Sequence, residues 1–185
     1  MKFSIHNVSI EIGFWFIAVI ALMLTLFPET QAFYCFIFCI IHEFGHLFAM
    51  LLTGRKVSAL QFGCFGIKIY TRNDYVPSLK EAFIAVGGPA MNLVASSLLF
   101  IAGKNDLAII NLTLAFFNLL PVSELDGGHI LSALFPDSKC TKIMSLTLCL
   151  LMLISGLIIA IYSKSNFTLL IVSLYLLTGI ADKKN

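Results

Sequence analysis

Apolar residues run in six long stretches along the chain, with shorter polar segments between them. Their approximate bounds are Ile10 to Phe27, Ala32 to Leu52, Ala82 to Ala102, Leu107 to Leu120, Ile143 to Ile161 and Phe167 to Ile180. A helix needs about 20 mostly apolar residues to cross a bilayer. The pattern therefore predicts an all-α polytopic membrane protein with about six transmembrane helices, the fourth of them short and interrupted at Pro121.

A different pattern lies outside these stretches. The segment from Val57 to Tyr70 is rich in glycine, aromatic and branched residues, and its last part alternates with a period of two. Val8, Ile10 and Ile12 alternate in the same way ahead of the first predicted helix. Because a period of two is typical of strands, we predict a small β element at the membrane surface.

Composition supports lipid as the outer solvent. Charged residues make up 12% of the 185 residues and hydrophobic residues 59%, whereas soluble domains carry about 25% charged residues. The net charge of +2 excludes a strongly basic nucleic-acid binder, so no nucleic-acid partner is expected. The apolar composition predicts a lipid bilayer as the surroundings. We expect residues 1–185 to form a single domain whose first helix is retained rather than cleaved.

Lysine and arginine are distributed unequally between the two faces of the predicted bundle. One face holds ten of them and the other holds only Lys104 and Lys164. Since cationic loops stay on the cytoplasmic side, both termini are predicted to be cytoplasmic in a multi-pass protein of the cell membrane.

Candidate chemistry begins in the second stretch, where His42, Glu43 and His46 occupy little more than one helical turn. A single charge at the centre of a membrane helix costs about 2.5–3.5 kcal/mol to insert, so such residues normally mark a function. Histidines four apart project from one helix face, as two zinc ligands require, with the intervening glutamate beside the metal. Exposure at an aqueous surface, the common alternative, is not available at this depth.

A third zinc ligand must come from elsewhere, because the position six residues after His46 is Leu52. Glu124 and Asp126 are the acidic candidates, both in a segment that Pro121 and two glycines prevent from being helical. Irregular backbone at membrane depth is tolerated where it is buried in protein or lines a wet cavity. Topology places this segment, the histidine motif and the glycine-rich start of the third stretch in the cytoplasmic half of the bilayer, where an active site is expected.

Three motifs in this order resemble the site-2 protease family of intramembrane metalloproteases. They are His42-Glu43-x-x-His46, Gly87-Gly88-Pro89 with Asn92, and Asn118-x-x-Pro121 followed by Leu125-Asp126-Gly127. The chain is most similar to the compact six-helix branch that includes a sporulation protease. Many members insert a PDZ domain or add a C-terminal nucleotide-sensing domain, and neither is expected in residues 1–185.

The resemblance implies a zinc metalloendopeptidase that cleaves in or near the transmembrane segment of a membrane protein. It implies Zn²⁺ bound by His42, His46 and Asp126, with Glu43 as general base and proton donor. It also implies that Asn118 steadies the substrate carbonyl or its oxyanion, and that the Gly-Gly-Pro segment packs close to the second helix. Asn92 is expected there either as a polar partner or in a structural interhelical hydrogen bond. Expected substrates are regulatory precursors such as a membrane-tethered transcription factor or anti-sigma factor, with a regulatory membrane partner or a second copy of the chain left open.

Other interpretations of the ligand set and of the function remain open from the sequence. Glu124 stands where the family pattern leads us to expect a less polar residue, and His129 adjoins Asp126, so each is an alternative ligand. A metal transporter would use similar buried ligands, but it needs polar residues across the whole bilayer, and the outer half has almost none. A catalytically silent adaptor would not need Glu43 between the two histidines.

Overall fold

A computed structural model describes residues 2–5, 8–14, 16–18, 21, 25, 30–63, 66–71, 78–136, 138–163 and 167–182. The strands are β1 (Lys2–Ile5), β2 (Val8–Ile12), β3 (Val57–Gly63) and β4 (Gly66–Thr71). The helices with defined bounds are α1 (Thr30–Thr53), α2 (Leu79–Ile101), α3 (Asn105–Asn118), α4 (Asp126–Leu134), α5 (Lys139–Ser163) and α6 (Thr168–Asp182). The described part of the protein is therefore mostly helical, with one small sheet.

The chain divides into two compact units. The first unit comprises Met1–Val76 and Gly87–Ala115, and the second comprises Pro77–Val86 and Phe116–Asn185. The first unit contains the sheet, α1, most of α2 and most of α3. The second contains the end of α3 together with α4, α5 and α6.

The sheet has the strand order β1-β2-β3-β4. β1 and β2 are antiparallel, β2 and β3 are parallel, and β3 and β4 form an antiparallel hairpin in which Phe62 faces Ile67. The predicted β element is confirmed, but Ile10–Ile12 belongs to β2, so the first helical residue described is Phe14. The apolar stretch continues across that boundary, which explains why its pattern alone started the helix too early.

Close packing of α1 against α2 depends on two glycines in the first unit. A Cβ placed on Gly45 would collide with the carbonyl oxygen of Gly87, and one on Gly87 would lie 2.5 Å from the oxygen of Gly45. Small residues let membrane helices approach until their backbones touch. The sequence-based expectation that the Gly-Gly-Pro segment packs against this helix is confirmed.

Both of these helices end in the same way. Gly54 and Gly103 adopt φ angles of 72° and 70°, in the left-handed region that suits glycine. The following residues, Arg55 and Lys104, donate backbone hydrogen bonds of 2.9 Å to carbonyls five positions back. These are Schellman ends, which satisfy the last carbonyls and reverse the chain after α2 towards α3.

In the second unit, the chain leaves the helical path where Pro121 was expected to interrupt it. α3 ends at Asn118, and α4 begins at Asp126 after a turn. Val122 in that turn is fully buried with Cys149 of α5 and Leu176 of α6. The turn is further held by the backbone N–H of Ser123, which donates a 2.9 Å hydrogen bond to the Ser145 hydroxyl.

Among the described residues, three helices are long and apolar enough to cross a membrane. They cover Phe33–Thr53, Leu79–Ile101 and Lys139–Tyr162, and match the second, third and fifth predicted stretches. The fourth stretch contains only the short α3, because the chain turns after Asn118. The sixth is a shorter apolar helix, Thr168–Ile180, and much of the first lies outside the described residues. A membrane protein is supported, whereas the count of six spans stays a prediction.

Candidate metal centre

The two histidines of α1 are buried and converge. His42 and His46 are each only 8% exposed, and their Nε2 atoms lie 3.1 Å apart. Their rings are tilted by 80° to one another. Two zinc ligands at tetrahedral angles, with Zn–N distances of about 2.0–2.1 Å, place their nitrogens about 3.3 Å apart. The separation therefore fits two nitrogens directed at one cation.

Gly88 of α2 provides the space that these two rings occupy. A Cβ on Gly88 would collide with Nε2 of His46 and would lie 2.6 Å from Nε2 of His42. Gly88 is itself buried. Glycine is therefore required at this position by the imidazoles, in addition to any requirement of helix packing.

Asn92, one turn further along α2, contacts the other side of the His42 ring. Its amide nitrogen lies 3.3 Å from Nδ1 of His42, and the side chain is 0% exposed. Metal-bound histidines almost always engage their second nitrogen with a neighbouring polar group, which fixes the ring orientation. Asn92 occupies that position for His42.

Asp126 stands at the first position of α4, and two glycines determine where that helix starts. A Cβ on Gly127 would collide with the carbonyl oxygens of Leu119 and Leu120, and one on Gly128 would lie 2.7 Å from Cα of Ser123. The turn and the first turn of α4 can thus be in backbone contact only because both residues lack side chains. This contact fixes the half-buried Asp126 at the helix start.

Among the described residues, His42, His46 and Asp126 are a possible group of metal ligands. Two imidazole nitrogens and one carboxylate oxygen are a ligand set that catalytic zinc sites use, leaving a fourth position for water. The residues present therefore fit zinc, as the sequence predicts.

The predicted catalytic residues and the alternative metal ligands are close in sequence to these three residues. Glu43 directly follows His42 and is half-buried, and Asn118 is the half-buried last residue of α3. Glu124 and His129, the alternative ligands, do not belong to the group. Glu124 instead lies against α6, where a Cβ on Gly179 would be 2.5 Å from its Cγ. His129 is exposed on α4.

Sequence reasoning missed two contacts around the histidines. The pattern identified Gly88 only as part of a close helix approach, and left Asn92 between a polar partner and a structural hydrogen bond. The structure directs Gly88 at both Nε2 atoms and Asn92 at Nδ1 of His42. Their spacing of four on one helix was the available signal, because residues four apart share a face.

Comparisons with known proteins agree with this chemistry. The sequence pattern of peptidase family M50 matches residues 104–161. A zinc metalloprotease of Methanocaldococcus jannaschii is 26% identical over 203 residues, which cover 96% of this chain and 58% of that protein. A Synechocystis protein with a zinc metalloprotease name is 31% identical over 105 residues, covering 50% of this chain and 28% of its own length.

The fold has a counterpart among solved structures. The site-2 protease from Methanocaldococcus jannaschii superimposes with a TM-score of 0.72 at 24% identity, covering 100% of this chain and 95% of that one. This likeness concerns the fold. The chain spans about 58% and 28% of the lengths of the two curated relatives that it matches.

Proposed function

We propose that the chain is a zinc metalloendopeptidase of the site-2 protease family, and that it cuts a peptide bond in or near the transmembrane segment of a membrane protein. The observation that carries the proposal is the convergence of the two buried imidazoles of His42 and His46, for which Asp126 is the possible third ligand. Membrane-spanning helices seldom hold such groups without a catalytic or transport role. We further propose that residues 1–185 act as one protease domain.

The chain's own residues have distinct roles in this proposal. His42, His46 and Asp126 would hold zinc, which supplies a Lewis acid that polarises the scissile carbonyl and activates water. Glu43 would accept a proton from the attacking water and later donate it to the leaving amine. Asn118 would donate a hydrogen bond from its amide to the oxyanion that develops on the substrate carbonyl.

Substrate binding would use the edge of the small sheet. In the described sheet, β4 is paired on one side only, with β3, so its other side can accept an added strand. An extended segment of the substrate would bind there, because a helical segment hides the carbonyl that must be attacked. Replacing Ile69 with proline should lower cleavage and leave zinc binding intact, while Ile69→Val should cleave normally. Undiminished cleavage by the proline variant would exclude this binding mode.

We propose regulatory membrane proteins as substrates, such as a membrane-tethered transcription factor or an anti-sigma factor. We also propose that both termini and the active site are on the cytoplasmic side, where a released fragment would act; the unequal distribution of cationic residues supports this orientation. A regulatory membrane partner or self-association would then control access to the site.

The test of function co-expresses the chain with candidate membrane-tethered regulators and follows their processing. The parent should release a shorter fragment, and Glu43→Gln should abolish release while the purified variant still binds one zinc ion. Asp106→Asn, which removes an exposed carboxylate at the start of α3, should cleave like the parent. Processing by Glu43→Gln at the parental rate would refute the assigned base. Zinc uptake into vesicles by a parent that cleaves none of the regulators would indicate a transporter instead.

A further inference from the structure

The second nitrogen of His42 has a chemical requirement that follows from the proposed zinc site, on which this inference rests. Nε2 faces His46 at 3.1 Å, so Nε2 is the atom directed at the metal. A neutral imidazole has one N–H and one bare nitrogen. If Nε2 binds zinc, the proton of His42 must lie on Nδ1, which becomes a hydrogen-bond donor and needs an acceptor.

The amide of Asn92 meets this requirement after a half-turn. In the present orientation its nitrogen lies 3.3 Å from Nδ1, so that two donors would face each other. Its oxygen, Oδ1, is buried and has no hydrogen-bond partner among the described residues. Rotating an amide by 180° exchanges the two atoms, and the hydrogen-bond network is the proper guide to that choice. The rotated amide presents Oδ1 as the acceptor for Nδ1–H.

The same rotation turns the Asn92 amide nitrogen away from His42, so this nitrogen needs a new hydrogen-bond acceptor. Asn111 of α3 is the candidate. Asn111 is 0% exposed, and within the described structure neither its Nδ2 nor its Oδ1 has a hydrogen-bond partner. A buried amide without a hydrogen-bond partner destabilises the folded protein. Asn111, like Asn92, therefore has a buried amide group that lacks a hydrogen-bond partner among the described residues.

The register of α2 and α3 brings the two asparagines to the same level. The helices are antiparallel neighbours joined by the Gly103 turn, and the Ser96 hydroxyl donates a 2.8 Å hydrogen bond to the carbonyl of Ala108. Asn92 lies one turn before Ser96, and Asn111 lies about one turn after Ala108. In an antiparallel pair these steps run in the same direction, about 6 Å along α2 and about 4.5 Å along α3, so both residues reach nearly the same level.

We propose that Asn92 is a positioning residue for the metal site, and that it accepts the Nδ1–H of His42 through Oδ1 and thereby sets the histidine tautomer. Asn111 holds the Asn92 amide in this orientation by accepting from its Nδ2, directly or through one water molecule. This series of hydrogen bonds runs from Asn111 of α3 through Asn92 of α2 to His42 of α1. It thus links three helices at one zinc ligand.

Variants at Asn92 separate this role from a purely structural one. A carboxylate can only accept, so Asn92→Asp should keep zinc affinity within about threefold of the parent, whereas Asn92→Leu should lose about 10- to 100-fold. Asn111→Leu should lower zinc affinity a few-fold, because the Asn92 amide is then held less firmly in its orientation. Ser96→Ala is the matched control, because it removes an α2–α3 hydrogen bond without touching His42. It should lower the melting temperature of the metal-free protein and leave zinc affinity unchanged.

Zinc affinity is measured by competition with a chromophoric chelator, and the visible spectrum of the cobalt-substituted protein reports the ligand geometry. The spectrum should be parental for Asn92→Asp and altered for Asn92→Leu. Equal affinities for Asn92→Asp and Asn92→Leu would overturn the acceptor role, as would parental affinity in Asn92→Leu. If the parent binds zinc and cleaves while Asn92→Asp and Asn92→Leu have the same zinc affinity, the role of Asn92 is refuted and the proposed function stands. If the parent binds no zinc, the proposed function fails with it.

Discussion

Gly88→Ala tests the metal site through one added methyl group. The methyl carbon would lie 2.6 Å from Nε2 of His42 and closer still to Nε2 of His46, whereas ordinary contact begins at 3.4 Å. Both rings must therefore withdraw from the methyl group, that of His42 by about 0.8 Å and that of His46 by more. Metal–ligand distances tolerate only about 0.2 Å of variation. Displacements several times larger should disrupt the coordination of the metal by these two rings.

The size of the effect follows from the cost of overpacking. Inserting a methyl group into a well-packed site costs about 1–3 kcal/mol. Because the collision is with the atoms that hold the metal, most of this cost should fall on the metal-bound state. At 1.4 kcal/mol for each tenfold change, zinc affinity should fall by about 5- to 150-fold.

Gly87→Ala is the control, since its methyl would meet the backbone of Gly45 and the side chain of Ala49 instead of the imidazoles. Chelator competition gives zinc affinity, and thermal unfolding of the metal-free proteins gives stability. Gly87→Ala should show the larger loss of stability, and Gly88→Ala the larger loss of affinity. Parental zinc affinity in a folded Gly88→Ala protein would refute the argument that these nitrogens bind the metal.

Three further changes test other parts of the site. Asp126→Asn removes a charged ligand, so zinc affinity measured by chelator competition should fall by a hundredfold or more (about 2.8 kcal/mol); parental affinity would remove Asp126 from the ligand set. Asn118→Leu should lower kcat by about 10²–10³ in a cleavage assay and leave bound zinc unchanged, as loss of an oxyanion donor does; a change in KM alone would contradict that role. Gly179→Ala overlaps the Glu124 side chain and should destabilise the protein by about 1–3 kcal/mol, and adding Glu124→Ala should restore much of the loss in a denaturation experiment.

The sequence predicted those features that depend on spacing within one element. His42 and His46 lie four apart on a helix, so their common face follows from helical geometry alone. Pro121 marked the end of α3 for the same local reason. The expectation that Gly127 and Gly128 also prevent a helix was wrong, because both lie in the first turn of α4. Alternation identified β3 and β4 as strands, because that period cannot be helical.

Features that depend on packing between elements could not be obtained in this way. A glycine in an apolar helix shows that something approaches closely, but not whether the neighbour is backbone, as at Gly87, or an imidazole, as at Gly88. Likewise, the apolar stretch from Ile10 onwards contains both the end of β2 and the helical residues that follow it. The alternation of Val8, Ile10 and Ile12 predicted a strand that overlaps the start of this stretch, and the pairing of β2 with β3 fixes the boundary after Ile12.

α3 has a consequence for how water reaches the metal. Its 14 residues rise about 21 Å, whereas the hydrocarbon layer is about 30 Å thick. We expect the shortfall at the Asn118 end, where the polar turn with Ser123 and Glu124 continues the chain, and we expect the bilayer to thin beside that turn. Lipid headgroups and water would then lie deeper there than elsewhere in the membrane. The proposed protease would receive its second reactant, water, through this local thinning of the bilayer.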